Sequence, residues 1–431
     1  MLSGHRLLVL LIVLLLAVRL VVVWIVYPYA AAHKPEWRWS NNDGYDRIAL
    51  NWVETGVYGL EQGVPTAQRL PLYPAYLAAC CMLAGRGYAE LAMIGQVAMS
   101  VMTGLYLYRL GARLFTRRVA ALALLVFILH LQVNNFVFRC ATETLFILLT
   151  VGFVYHTTVL RSAMQWRDAW LAGFYSGLAM LTRSTLWLLL LIVPVVFLVD
   201  AMRHRRGRMD ITRVVLVLLL PVIIQMPWLM RNARQSGMFP VYHTWVGHPF
   251  YQGSYVVSNI GSFLQRRISV ADLDQAGLLE LRESREYGQC MRESEGMRPV
   301  AREVLADRCA REMAIRRVSG YGWRLIPLAV TGMLAAPALQ MTWTSTLVLA
   351  VVNFPLIAAG LAGALLLWKR NPGTLGAGWI VLATFAYGWV VHAAVWPQAR
   401  YVLPMLVPFL VYAGYCLDAC LPARDGERKT A

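Results

Sequence analysis

Leu7 to Tyr27 reads LLVLLIVLLLAVRLVVVWIVY, a run of 21 residues whose single charge is Arg19. About 20 apolar residues make a helix long enough to cross the ~30 Å hydrocarbon core of a bilayer. His5-Arg6 precede the run and no small-residue cleavage site follows it, so it reads as an uncleaved signal anchor. Comparable runs recur along the chain. We expect ten spans, at Leu7–Tyr27, Ala89–Leu110, Val119–Gln132, Thr142–Leu160, Trp170–Leu181, Thr185–Val199, Val214–Met230, Thr344–Trp368, Leu375–Val395 and Tyr401–Leu421. Trp170 to Val199 is too long for one crossing and is read as a hairpin of two short spans with Thr182-Arg183-Ser184-Thr185 at its tip. Of the 431 residues 58% are hydrophobic and 15% charged, and the mean hydropathy is +0.53. That profile defines an all-α polytopic membrane protein and excludes a soluble globule.

Basic clusters in the short loops orient the spans. Arg113, Arg117 and Arg118; Arg161 and Arg167; Arg203, Arg205, Arg206, Arg208 and Arg213; Lys369-Arg370; and Arg424, Arg428 and Lys429 all fall on one side of a ten-span layout. That side is expected to be cytoplasmic, with both termini, in a bacterial inner membrane. The net charge of +17 is then largely positive-inside charge facing membrane lipids and gives no reason to invoke nucleic acid.

The layout divides the chain into residues 1–230, an N-terminal membrane module with a first outer loop at 28–88; residues 231–343, a second outer loop region; and residues 344–431, the C-terminal spans with a short cytoplasmic tail. The first loop holds amphipathic stretches at Asp46–Thr55 and Tyr73–Leu83, suited to the membrane surface, with Trp24, Trp37, Trp39 and Trp52 as interfacial aromatics. From Ala271 to Arg317 the second loop alternates Glu and Arg at helical spacing and reads as a solvated helical pair. Cys80, Cys81, Cys140, Cys416 and Cys420 lie in or beside apolar stretches as core thiols, while Cys290 and Cys309 share the second loop and are either free or bonded. No Cys/His cluster has metal-ligand spacing, so zinc has no support; no cofactor is expected to be required, and a divalent metal is possible but unsupported.

Four groups of residues could carry chemistry. Asp43, in Asn41-Asn42-Asp43-Gly44-Tyr45-Asp46 after the first span, is either a general base whose pKa burial would raise or a turn or helix cap. Glu143 heads the fourth span, where an acid is costly unless paired; function competes with a favourable helix N-terminal charge, with Arg139 as a partner. Arg69, Arg183, Arg231 and Arg400 are all expected at the outer surface. Planar guanidiniums there suit a lipid-linked phosphate, although each alone could snorkel to headgroups. Tyr251-Gln252, after His243 and His248, offers an aromatic and an amide that fit a sugar, or a packed loop.

Taken in order, the chain resembles the C-type glycosyltransferase superfamily, specifically bacterial relatives of dolichyl-phosphate-mannose protein mannosyltransferases and of the lipid A aminoarabinose transferase. The likeness rests on Asp43-Gly44-Tyr45, Arg-x-Pro-x-Tyr-Pro from Arg69 through Tyr73 to Pro74, and Thr142-Glu143-Thr144-Leu145-Phe146. It continues with Gly-Leu-Ala-x-Leu-Thr-Arg from Gly177 to Arg183, Pro-Trp-x-x-Arg-Asn from Pro227 to Asn232, and Arg400-Tyr401-x-x-Pro404. The resemblance implies a bundle of about ten helices and transfer of a sugar from a polyprenyl-phosphate donor to an unknown lipid, glycan or protein acceptor on the outer face. It implies Asp43 and Glu143 as the catalytic acids, and Arg69, Arg183, Arg231 and Arg400 near the donor phosphate, with Tyr45, Tyr73 and Tyr401 in the same motifs. Asn42, beside Asp43, departs from relatives with a paired acidic motif and weakens the case for a divalent metal. A carrier or flippase for lipid-linked saccharide, or a glycan polymerase or ligase, are the alternatives.

Overall fold

A computed structural model describes residues 4–33, 39, 43–204, 211–265, 269–340, 342–370, 378–395 and 397–422. Asn41, Asn42, Trp37, Arg205, Arg206, Arg208, Leu375, Arg424, Arg428 and Lys429 lie outside the described residues.

Each expected span overlaps a helix over its described residues. Gly4–Val21 (α1) continues through a π-helical turn into Tyr27–His33. After the first loop, with Tyr45–Thr55 (α2) and Leu72–Ala84 (α3), come Tyr88–Leu114 (α4), Arg117–Leu129 (α5), Glu143–Ala163 (α6), Trp166–Met180 (α7), Trp187–His204 (α8) and Ile211–Ser236 (α9). The second loop region holds Gly247–Ser258 (α10), Val270–Glu283 (α11), Arg285–Glu293 (α12), Pro299–Gly320 (α13) and Leu325–Ala335 (α14). Trp343–Arg370 (α15), Trp379–Val395 (α16) and Ala399–Cys420 (α17) close the bundle. Among the described residues, six helices are long and apolar enough to cross a membrane by themselves. The others, such as α5 and α7, are shorter. The hairpin of α7 and α8 turns at Leu181 to Arg183, as the length argument requires.

Two helices form the axis of the bundle. α6 is buried almost all round, packing on α4, α7 and α17; α17 packs on α5, α6, α15 and α16. Small residues permit that density. A Cβ at Gly363 of α15 would stand 2.1 Å from the Tyr412 carbonyl oxygen of α17, and one at Gly414 would stand 2.7 Å from that of Val119 in α5. The outward faces stay apolar, with Leu10, Val13, Trp24, Ile25 and Val351 exposed, as lipid contact demands. Both axial helices begin at the same end, which places Glu143 and Arg400 side by side.

Arg19, unassigned from sequence, is fully buried. It donates to Ser100 Oγ at 2.9 Å, to the Ile128 and Phe127 carbonyls at 3.2 and 3.3 Å, and to Asn134. α5 ends just there, where His130 turns extended and interrupts the third expected span. The guanidinium thus serves the carbonyl end of a broken helix, where a cation is favoured.

The second loop region departs from the solvated pair read from its composition. Arg308 and Glu312 do form an exposed i,i+4 pair, but α13 turns Ala301, Ala306, Ala310 and Ala314 inward and buries Asp307 with them. Periodicity in a charge-rich helix does not reveal which charges have found partners. Cys290 of α12 and Cys309 of α13 form a disulfide. α14, an apolar helix too short to register as a span, packs against α16.

Candidate active site

The site is assembled at the shared end of α6 and α17. Glu143 is wholly buried, and its Oε1 lies 2.8 Å from Arg183 Nη2 and 3.0 Å from Arg400 Nε. Arg183 reaches it from the tip of the α7–α8 hairpin, where its own Nε donates to Thr142 Oγ1 at 2.9 Å. Arg400 extends its other arm to Asp43, with Nη2 3.0 Å from Oδ2. Tyr401 lies under both cations, 4.9 Å from Arg183 and 5.0 Å from Arg400, and stacks on His392 of α16. Among the described residues Glu143 Oε2 has no hydrogen-bond partner, and Arg400 Nε, though close to Oε1, is too poorly aligned to make one.

Asp43 reaches this group because of Gly44. That glycine, at φ 76°, is the N-cap of α2, and a Cβ there would stand 2.5 Å from Leu60 Cδ2. The N-cap residue is thus Gly44 and not Asp43, which precedes it. The turn directs the carboxylate to Arg400 instead. Arg69 closes the other side. Its Nε donates to the Asp43 carbonyl at 2.9 Å, and its guanidinium lies 5.8 Å from the Tyr45 ring and 5.1 Å from that of Trp245. Tyr73 is buried beyond it, edge-on to Tyr45 and bonded to Gln96 at 3.2 Å.

Electrostatics reverse one expectation. Burial by itself pushes the Asp43 carboxyl up, but the guanidiniums of Arg400, Arg69 and Arg183 outweigh it and hold the group below the usual carboxylate range. Asp43 is therefore firmly ionised while Arg400 is on it.

The structure thus brings together Asp43, Tyr45, Arg69, Glu143, Arg183, Arg400 and Tyr401, with Tyr73 behind them. Three other expected residues have different company. Arg231 of α9 donates to the carbonyls of Thr66 at 2.6 Å and Tyr58 at 3.1 Å, holding the first loop by its backbone. Tyr251 bonds Glu280 at 2.8 Å and lies beneath Arg317, and Gln252 bonds Asp274 at 2.7 Å, so both join α10 to its neighbouring helices. Sequence reasoning missed Thr142, Trp245 and His392. Thr142 was legible as the residue beside Glu143, whereas Trp245 and His392 carry no local signal.

Residues 68–230 match the family described as dolichyl-phosphate-mannose-protein mannosyltransferase. The chain is similar to the Archaeoglobus fulgidus oligosaccharyltransferase solved with a tethered acceptor peptide, at a TM-score of 0.56 and 15% identity over 96% of this chain and 49% of that one. It is similar to AglB from the same organism, solved with an inhibitory peptide and a dolichol-phosphate, at 0.54 and 14% over 97% and 52%. ArnT from Cupriavidus metallidurans, bound to undecaprenyl phosphate, is more distant in fold, at a TM-score of 0.43 and 16% identity over 94% of this chain and 76% of that one. The chain spans about half the length of the oligosaccharyltransferases it matches. No curated protein matches it in sequence.

Proposed function

We propose that the chain is a membrane glycosyltransferase that moves a sugar from a polyprenyl-phosphate donor to a hydroxyl acceptor at the outer face. The observation that carries this reading is the shared Arg400, whose guanidinium joins a loop carboxylate, Asp43, to a buried one, Glu143, with Arg183 and Arg69 alongside. The acceptor oxygen attacks the anomeric carbon as the bond from that carbon to the phosphate oxygen breaks. The acceptor proton passes to Asp43, and polyprenyl phosphate leaves with the bonding pair. Guanidiniums aimed where that negative charge grows are the main source of rate in such a site. Glu143, with no exposure to an acceptor, is assigned to holding Arg183 and Arg400 in place.

Donor phosphate and the carboxylates compete for the same arginines. When Arg400 turns to phosphate, Asp43 loses the cation nearest it and becomes a stronger base. The donor thereby readies the group that receives the acceptor's proton. The Cys290–Cys309 disulfide supports an outer, oxidising compartment for this end of the molecule.

Purified protein incubated with a polyprenyl-phosphate sugar is expected to release polyprenyl phosphate, and Asp43→Asn to lose at least about a hundredfold of that rate while still binding donor. Full turnover by Asp43→Asn would remove the general-base assignment. Donor binding with no turnover in the unaltered protein, given a range of acceptors, would favour the carrier reading.

A further inference from the structure

We infer that Glu303, on α13 of the second loop region, is a positioning residue that fixes Arg69 and so couples that region to the site. The inference rests on the reading of Arg69 as a donor-phosphate ligand. Glu303 gathers four donors from two separate segments. Its Oε1 accepts from Thr66 Oγ1 at 2.5 Å and Gln68 Nε2 at 3.2 Å; its Oε2 accepts from the Ala67 amide at 2.8 Å and Thr244 Oγ1 at 2.8 Å. The two segments also bond each other, the Thr244 amide donating to the Ala67 carbonyl at 3.0 Å.

The next residue along each segment gives the arrangement its meaning. Gln68 leads into Arg69 and Thr244 into Trp245, and the Arg69 guanidinium lies over the Trp245 ring at 5.1 Å. Glu303 therefore grips the residues immediately before both members of a stacked pair. Arg69 in turn donates to the Asp43 carbonyl. A carboxylate accepting several hydrogen bonds makes a stiff junction, because charge-assisted bonds are about twice as strong as neutral ones. Arg231 braces the same segment from the bundle side, through the Thr66 and Tyr58 carbonyls. The segment is thus held from α9 and from α13 together, and only the second hold depends on the outer region.

Two measurements on the full-length protein in detergent test this. In Glu303→Gln one oxygen becomes an NH2 donor facing another N–H, so at least one of the four bonds is lost, the hydroxyl on that side must turn to accept, and the charge is removed with little change of volume. Hydrogen exchange is expected to rise in peptides spanning residues 58–70 and 240–246, and to stay unchanged in α6 and α17. Donor kcat/KM is expected to fall about tenfold, mainly through KM. On an Arg69→Ala background the same substitution should cost less than about twofold, the signature of coupled residues, and Glu303→Asp should recover part of the loss. Unchanged exchange in both peptides would overturn the inference, as would an equal loss with and without Arg69. If Arg69→Ala left donor turnover intact while Glu303→Gln still raised exchange, the phosphate role of Arg69 would fall and the mechanical link would stand.

Discussion

Arg400 lies within 3.0 Å of two carboxylates, and that sharing governs how Asp43 behaves. Burial raises the Asp43 pKa and three guanidiniums lower it; the cations win. A base held this low stays ionised as pH falls, and kcat/KM reports the groups of the free enzyme. The acidic limb of a kcat/KM profile should therefore lie below about pH 4, the ordinary value for an aspartate. Arg400→Gln removes the largest opposing charge and leaves burial in place, so the limb should move upward even though the overall rate also drops. The position of the limb, not its height, is the measurement. A limb that stays put in Arg400→Gln would mean either that Asp43 is not the titrating base or that Arg400 does not hold it down. The sequence carried the identity of both residues through their short motifs. It could not carry their pairing across 357 positions, and so the shift expected from burial alone had the wrong direction.

Among the elements, α6 and α17 fix the site because their first residues stand together, and that depends on how closely the helices around them approach. Gly363 is the sharpest instance. An alanine Cβ there would meet a backbone carbonyl of α17 at 2.1 Å, and backbone cannot swing aside as a flexible side chain would. Gly→Ala within a helix gains up to about 1 kcal/mol from propensity, whereas overpacking a tight contact costs about 1–3 kcal/mol. The clash should win at Gly363→Ala, for a net loss of about 1–2 kcal/mol. Gly261→Ala, in the short helix Ile260–Leu264 and with open space around its Cβ, is the control and should be neutral or stabilising. Thermal melting of both variants in one detergent checks the pair; a Gly363→Ala melt equal to that of the control would show that α15 and α17 are not packed as described. The existence of these elements was plain in the sequence because about 20 apolar residues have few other uses. The break at His130 and the short helix α14 were not, since neither changes a hydropathy average much. The inward acids of α13 were hidden for a different reason: Glu303 and Asp307 have the same spacing as their solvated neighbours, and only their partners distinguish them.

At the scale of the whole molecule, the orientation proposed from loop charge has a direct structural test. α17 runs 22 residues from Ala399, beside the site, to Cys420, a length of about 33 Å at 1.5 Å per residue. That matches the ~30 Å hydrocarbon core, so its two ends lie at opposite surfaces. At the Cys420 end the basic cluster between α4 and α5 is tied to its neighbours: Arg118 pairs with Asp418 at 2.9 Å, and Arg113 bonds Ser162 at 2.7 Å. The site end is joined to the second loop region through Glu303, and that region holds the Cys290–Cys309 disulfide. On the proposed orientation the first end, rich in positive-inside charge, faces the cytoplasm, and the second faces an oxidising compartment. In intact cells a membrane-impermeant maleimide should leave Cys420 unlabelled until the membrane is permeabilised, although that thiol is exposed. Pretreatment with an impermeant phosphine should open the disulfide and add label at Cys290 and Cys309 without permeabilisation. Single-cysteine variants assign each signal. Labelling of Cys420 in intact cells, with the disulfide pair reached only after permeabilisation, would invert the molecule and move the proposed transfer to the cytoplasmic face.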